Sequence, residues 1–320
     1  FESATIESLA DTIYTRRSLG RGPRIVAIGG GTGLSVLLRG LKTHTTNLTA
    51  IITVGDDGGS SGRLRQELGV IPPGDFRNCL VAMSKTESLL TDLFQYRFDQ
   101  GNGLKGHSFG NLFIVAMTEV THSFERALYE SSRVLAVHGR IVPASVANLT
   151  LSARFEDGTV VKGESAITGK GSQIDRLFID PTDAECYPLA TEAIQDAQMI
   201  VIGPGSLYTS ILPNLLVDGI ARAIAQSSAT KLYVCNVATE RGETDGYTVA
   251  DHVDALQRHT FPEIVDYVVA DDNPRDVGDR FLGDAVADDG RAIQYASLEH
   301  RSLTDPCHPI RHDSPMLAEA

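Results

Sequence analysis

Cysteine is scarce and scattered in this chain. Cys79, Cys186, Cys235 and Cys307 are its only four, with no CxxC pair and no metal-ligand spacing. Neither a zinc site nor a disulfide framework is read from them, and cytosolic thiols are the default. Basic residues are in deficit as well: 28 Lys and Arg against 41 Asp and Glu leave a net charge of −13. That balance argues against a nucleic-acid partner, whose footprint is a basic stripe. It does not exclude a nucleotide, which needs only a local cluster of donors. No apolar run approaches the ~20 residues of a membrane span. No signal-peptide pattern opens the fragment, which begins at Phe1, so a cytoplasmic location is expected for it. Repeats and low-complexity tracts are missing too. What is present, 42% hydrophobic and 22% charged residues over 320 positions, is the profile of an ordinary globular protein.

Four short Val/Ile-rich runs, at 24–30, 47–56, 197–205 and 230–238, each lead into glycines or polar loops. Near-continuous apolar runs fit parallel strands covered on both faces. The first two enclose the helix-like LSVLLRGLK, which predicts a right-handed βαβ unit. Segments 75–98 and 110–138 carry helical periodicity, and a helix is expected at 248–259. Residues 139–180 differ: VANLTLSARFEDGTVVKGES alternates like a strand, and Asp157-Gly158 is a strong hairpin signal. The expected architecture is α/β: a doubly wound, Rossmann-like, mostly parallel sheet with an antiparallel β-hairpin insertion at about 139–180. Residues 1–23 read as a polar amphipathic lead-in, and 24–320 as one nucleotide-binding domain. A weak strand near 292–297 and a polar tail end the chain.

The segment 24–33, RIVAIGGGTG, is a buried strand running into glycines and then a helix, the arrangement of a phosphate cradle. The dinucleotide spacing fails, because Leu34 or Val36 stands where its last glycine must fall, and no Gly-Lys-Ser/Thr follows to make a P-loop. Gly31 and Gly33 are read as keeping the phosphate's path clear of side chains. After the second strand comes GDDGGSSGR, in which Asp56 and Asp57 suit a Mg²⁺–diphosphate site and Ser60, Ser61 and Arg63 suit phosphate donation. Asp75 in PPGDFRN reads first as a helix N-cap. His107 and Asn111 in GHSFGN are open between helix-capping and ligand roles. GPGSLYTS, with Gly205, Ser206 and Thr209, follows the third strand as a further anion nest. No nucleophile elbow or activated cysteine stands out.

Six ordered motifs, IGGGTG, VGDDGGSSGRLR, PPGDFRNCL, GHSFGNLF, GPGSLYTSILPNLL and CNVATERGETDGYT, resemble the 2-phospho-L-lactate transferase (CofD)-like family. Their wording is most similar to its gluconeogenesis-factor branch. The resemblance implies a Rossmann-like fold. It implies nucleotide-diphosphate contacts at Gly30, Gly31, Thr32, Gly33, Asp56, Asp57, Asn111, Gly205 and Ser206. It also implies a UDP-sugar ligand, alternatively GDP, with Mg²⁺ at Asp56 and Asp57; NAD belongs to a separate nicotinamide-enzyme reading, which the failed dinucleotide spacing disfavours. In the transferase branch a phospholactyl group passes from a guanosine diphosphate carrier to a deazaflavin. In that case Asp56 and Asp57 are the catalytic candidates. In the gluconeogenesis-factor branch the implied role is support of cell shape and cell-wall precursor supply, with an amino-sugar biosynthesis enzyme as partner. A homo-oligomer is expected.

Overall fold

The computed structural model describes residues 17–85, 89–275, 277–278 and 281–320. Of the expected lead-in, 1–16 lies outside the described residues. The segment that follows is tied to the sheet entrance, where Asn47 Nδ2 donates to the carbonyls of Gly20 and Gly22 at 3.0 and 2.8 Å.

β1 (Ile25–Gly29) is buried at every position because helices cover both faces of its sheet. The remaining strands are β2 (Leu48–Ile52), β3 (Arg140–Pro143), β4 (Thr150–Phe155), β5 (Val160–Lys162), β6 (Ile174–Asp180), β7 (Met199–Ile202), β8 (Thr230–Val234), β9 (Tyr267–Asp271) and β10 (Ser297–Arg301), with β11 (Thr304–Asp305) and β12 (His308–His312) following. Seven of them form one sheet in the order β10-β9-β8-β7-β1-β2-β3, and every pairing in it is parallel. From β1 the chain winds outward through β2 and β3, then returns to the other side of β1 and winds outward through β7, β8, β9 and β10. The order reverses between β1 and β7. Open α/β sheets bind ligands at such a reversal, beyond the strands' carboxyl ends.

Helix α1 (Gly31–Leu41) buries Leu34, Leu37, Leu38 and Leu41, a stripe at helical spacing that packs on this sheet. The periodic segment at 75–98 divides into α3 (Gly74–Met83) and α4 (Leu89–Gln95), after α2 (Gly59–Leu68); the segment at 110–138 divides into α5 (Phe109–Thr121) and α6 (Phe124–Val134).

The insertion is narrower than expected and has three strands. Residues 140–143 pair with β2 as the edge of the main sheet. The separate antiparallel sheet has the order β5-β4-β6. Its hairpin turns at Asp157-Gly158, where Gly158 takes a φ of +79° and Asp157 Oδ1 accepts the Thr159 N–H at 2.9 Å. Helix α7 (Glu164–Lys170) connects β5 to β6.

The last strand of the main sheet lies at 297–301, displaced from the expected 292–297. The polar tail is also structured: β11 and β12 pair antiparallel, and the helix Ser314–Glu319 packs on α1. Gly40 permits that packing, since a Cβ there would overlap Ser314 O and lie 2.8 Å from Ala318 Cβ.

Candidate functional site

A cleft of about 460 Å³ lies at the strand reversal, with the loops after β1 and β7 facing each other across it. Gly30 is extended and provides no side-chain cap for α1, so the first-turn N–H groups lack intrahelical acceptors. Gly31 has a φ of +64°, the left-handed region that glycine enters at little cost. Gly33 also meets the facing loop. A Cβ on it would lie 2.6 Å from Pro204 O, so its bare backbone admits that loop. The β7 loop is held in turn by Asn236, just beyond β8, whose side-chain amide bonds both ends of Gly205. Immediately after it the chain makes one π-helical turn, Leu207–Ile211, in which Ile211 N reaches back to Ser206 O at 2.9 Å. Such turns recur at functional sites. Asn214 closes the arrangement, donating to Gly29 O at 3.0 Å and to Ser210 O at 2.7 Å.

Four carboxylates line the cleft: Asp56, Asp75, Glu164 and Glu240. Asp75 does not cap its own helix, where Pro73 holds the N-cap position without a side-chain hydrogen bond. It turns instead toward the start of α1, where a Cβ on Gly30 would lie 2.5 Å from its Oδ2 and the Gly31 backbone draws its carboxyl down. Its carboxyl is pushed up to about 6, chiefly by burial and then by the charge of Asp56. Glu164 is pushed up to about 8 by burial, with Asp56 adding to it; the Asp57 N–H, at 3.1 Å from Oε2, pulls the other way. Asp57 itself points away from the cleft. Its Oδ1 accepts both N and Oγ of Ser165, at 2.9 and 2.7 Å, at the start of α7. The adjacent acids therefore separate, one to the cleft and one to a helix end. Arg65 pins the loop from behind through the carbonyls of Gly55, Asp56 and Leu149.

Residues near the C-terminus line the cleft as well. Ile310, Arg311 and His312 of β12 reach the cleft together with Phe281. His312 is buried and bonds Cys235 O at 3.1 Å, and burial pushes its imidazole down to about 4, so it stays neutral near pH 7. Arg311 is exposed and brings a cation to the mouth of the cleft.

Of the residues expected at the site, Gly30, Gly31, Thr32, Gly33, Asp56, Gly205 and Ser206 come together around this cleft. Ser60, Arg63 and Asn111 do not line it. Ser60 Oγ lies 2.9 Å from His107 Nδ1 and accepts from Asn111 Nδ2 at 3.1 Å, a buried cluster that joins α2 to α5. Arg63 donates to Lys105 O at 2.9 Å. Thr209 lies in an adjoining cavity and donates to Glu243. Sequence reasoning missed Asp75 as a cleft acid, Glu164, Asn236 and Arg311. Among the described residues no group of three or more His, Cys, Asp or Glu is placed to hold a metal ion by protein ligands alone. Asp56 and Asp75 do fit Mg²⁺ of the kind bound by one or two carboxylates, with phosphate oxygens and water completing the octahedron.

The sequence model of the family described as 2-phospho-L-lactate transferase CofD matches residues 25–291. A gluconeogenesis factor from Halalkalibacterium halodurans is 56% identical over 250 residues, 78% of each chain. Another, from Bacillus subtilis, is 49% identical over 310 residues, covering 94% of this chain and 97% of that one. A crystal structure of a member of the UPF0052 family from Bacillus halodurans aligns with a TM-score of 0.89 at 47% identity, over 93% of this chain and 98% of that one.

Proposed function

The chain belongs to the 2-phospho-L-lactate transferase CofD family, and on that premise we propose that its cleft binds a nucleoside diphosphate sugar and that the protein acts as a regulator. The observation that carries the reading is the meeting of two glycine loops at the strand reversal, with Arg311 at the mouth. Helix N–H groups and bare backbone suit phosphate oxygens, and a guanidinium fork suits a diphosphate. Mg²⁺ held by Asp56 and Asp75 would neutralise part of the diphosphate charge. Without a cation, these acids would repel the ligand.

In this proposal the ligand is a UDP-sugar. Its occupancy of the cleft reports cell-wall precursor supply to an amino-sugar biosynthesis enzyme, supporting cell shape during gluconeogenic growth in the cytoplasm. Similarity to proteins named gluconeogenesis factors supports the setting. A thermal-shift screen of UDP-sugars, GDP and NAD tests the ligand class. A ligand at a hundred times its dissociation constant adds about 2.7 kcal/mol of stability. The proposal expects the largest shift from a UDP-sugar; no shift from any of the three would contradict it.

A second reading is a Mg²⁺-dependent transferase of a phosphoryl-linked group. It is favoured by Asp75 and Glu164, two cleft carboxyls that exchange protons near neutral pH and so suit acid–base work. Long incubation of a UDP-sugar with the protein and Mg²⁺ separates the two. Unchanged ligand supports the regulator, and UMP or a sugar phosphate supports the enzyme.

A further inference from the structure

The cleft does not end at the glycine loops. A second cavity of about 560 Å³ adjoins it, sharing Glu164, Ser206, Glu240 and Phe281 and adding Thr168, Thr209, Arg241, Glu243 and Leu282. Glu243 is 3% exposed. Its Oε1 accepts the hydroxyls of Thr209 at 2.9 Å and Thr168 at 3.2 Å. Its Oε2 is buried and has no partner. Buried carboxylate oxygens without a donor are costly, and native structures keep few of them without reason. The position is also enforced. Gly242 has a φ of +85° and sits so close to α7 that a Cβ on it would overlap Thr168 O, which presses the loop carrying Glu243 onto that helix.

No glycine lines the second cavity, unlike the cradle, and its one cation is the exposed Arg241. Glu164, Glu240 and Glu243 offer acceptors, and the Thr209 and Thr168 hydroxyls are already committed to Glu243. An apolar group would leave the carboxylates unpaired. A moiety rich in hydroxyl donors satisfies them. Burial and the charge of Glu240 push Glu243 up to about 7, so near neutral pH it accepts from hydroxyls and also donates to them, which suits a sugar better than a fixed cation.

We propose that this second cavity holds the sugar moiety of the ligand, with Glu243 Oε2 and Glu240 accepting its hydroxyl hydrogens while the diphosphate lies in the glycine cradle. The inference rests on the nucleotide reading above, and the following experiment separates the two. UDP and UDP-glucose are titrated calorimetrically into the wild-type protein, Glu243→Gln and Glu240→Gln, all in Mg²⁺. The expected result is UDP-glucose binding about tenfold more tightly than UDP in the wild type. In each variant that ratio falls to about twofold. If Glu243→Gln melts far below the wild type, Glu240→Gln, at the less buried position, decides by the same ratio. A tenfold preference retained in the folded variants, or equal binding of both ligands by the wild type, overturns the sugar assignment while leaving the nucleotide cradle standing. Failure of the wild type to bind either ligand overturns both.

Discussion

Asn236 clamps Gly205 through two hydrogen bonds: Gly205 N donates to Asn236 Oδ1 at 3.1 Å, and Asn236 Nδ2 donates back to Gly205 O at 2.9 Å. The pair fixes the peptide whose neighbour Pro204 lies against Gly33, so one side chain beyond β8 sets the spacing of two loops. Each bond contributes about 1 kcal/mol net. Asn236→Ala is therefore expected to weaken nucleotide binding by about tenfold through loop mobility, with secondary structure retained. Calorimetric titration beside a circular dichroism spectrum checks this, and unchanged affinity would count against the clamp.

The two glycines of the first loop should respond differently. Gly31→Ala meets only Ser210 Oγ, at 3.7 Å, and its cost is the left-handed backbone, about 1–2 kcal/mol. Gly33→Ala drives a Cβ against Pro204 O and should push the loops apart, an overpacking cost of about 1–3 kcal/mol. The expected order of lost nucleotide affinity is Gly33→Ala worse than Gly31→Ala. Titration of both variants gives it directly, and the reverse order would support the view that Gly33 clears a path for phosphate.

The separation of the adjacent acids gives a third expectation. Asp56→Asn with Asp75→Asn should abolish any Mg²⁺ dependence of nucleotide binding. Asp57→Asn should leave that dependence intact and lower thermal stability instead, because Asp57 Oδ1 holds the start of α7 through Ser165. Titrations with and without EDTA, paired with melting curves, distinguish the two. Loss of Mg²⁺ dependence in Asp57→Asn would return that residue to the site.

These residues also mark where the sequence stops being informative. The parallel strands and their glycine loops are legible because the Val/Ile runs and the glycines are local signals, whereas the reversal between β1 and β7 is set by tertiary strand pairing. Asp56 and Asp57 are not separable by sequence, because both are acidic and an extended backbone sends successive side chains to opposite sides. Ser60 and Asn111 sit in motifs rich in phosphate-binding chemistry, yet they satisfy each other and His107 in a buried cluster. Asp75 looks like a helix cap because that is the local use of an acid at such a position; its carboxylate instead faces the backbone of Gly30 and Gly31, far earlier in the chain. Arg311 carries no local signal. It reaches the cleft only because a short pair of strands folds back against the end of β8, where His312 bonds Cys235 O. That contact is purely tertiary.

The raised carboxyls predict a pH dependence. Asp75 at about 6 and Glu164 at about 8 hold protons in the folded state that the unfolded chain, with ordinary values near 4, has released. The folded state binds more protons in that window, so stability falls as pH rises from about 4 to about 8. Below it both states are protonated and the penalty vanishes. Glu164→Gln should melt higher than the wild type near pH 8 and about the same near pH 4. Melting curves across that range decide it, and a parallel pH dependence in wild type and variant would show that Glu164 does not carry the effect.

The central claim is that the cleft at the strand reversal holds a diphosphate against Arg311, and titration of UDP-glucose in Mg²⁺ into wild type and Arg311→Ala tests it most directly. Arg311 is exposed, so its removal should leave the melting temperature of the free protein unchanged. A guanidinium–phosphate contact contributes about 1.5–3 kcal/mol, which predicts a loss of affinity of ten- to about a hundredfold. Saturable binding by the wild type with that loss in the variant is the expected result. Equal affinity in both proteins, or no binding by the wild type, would contradict the account.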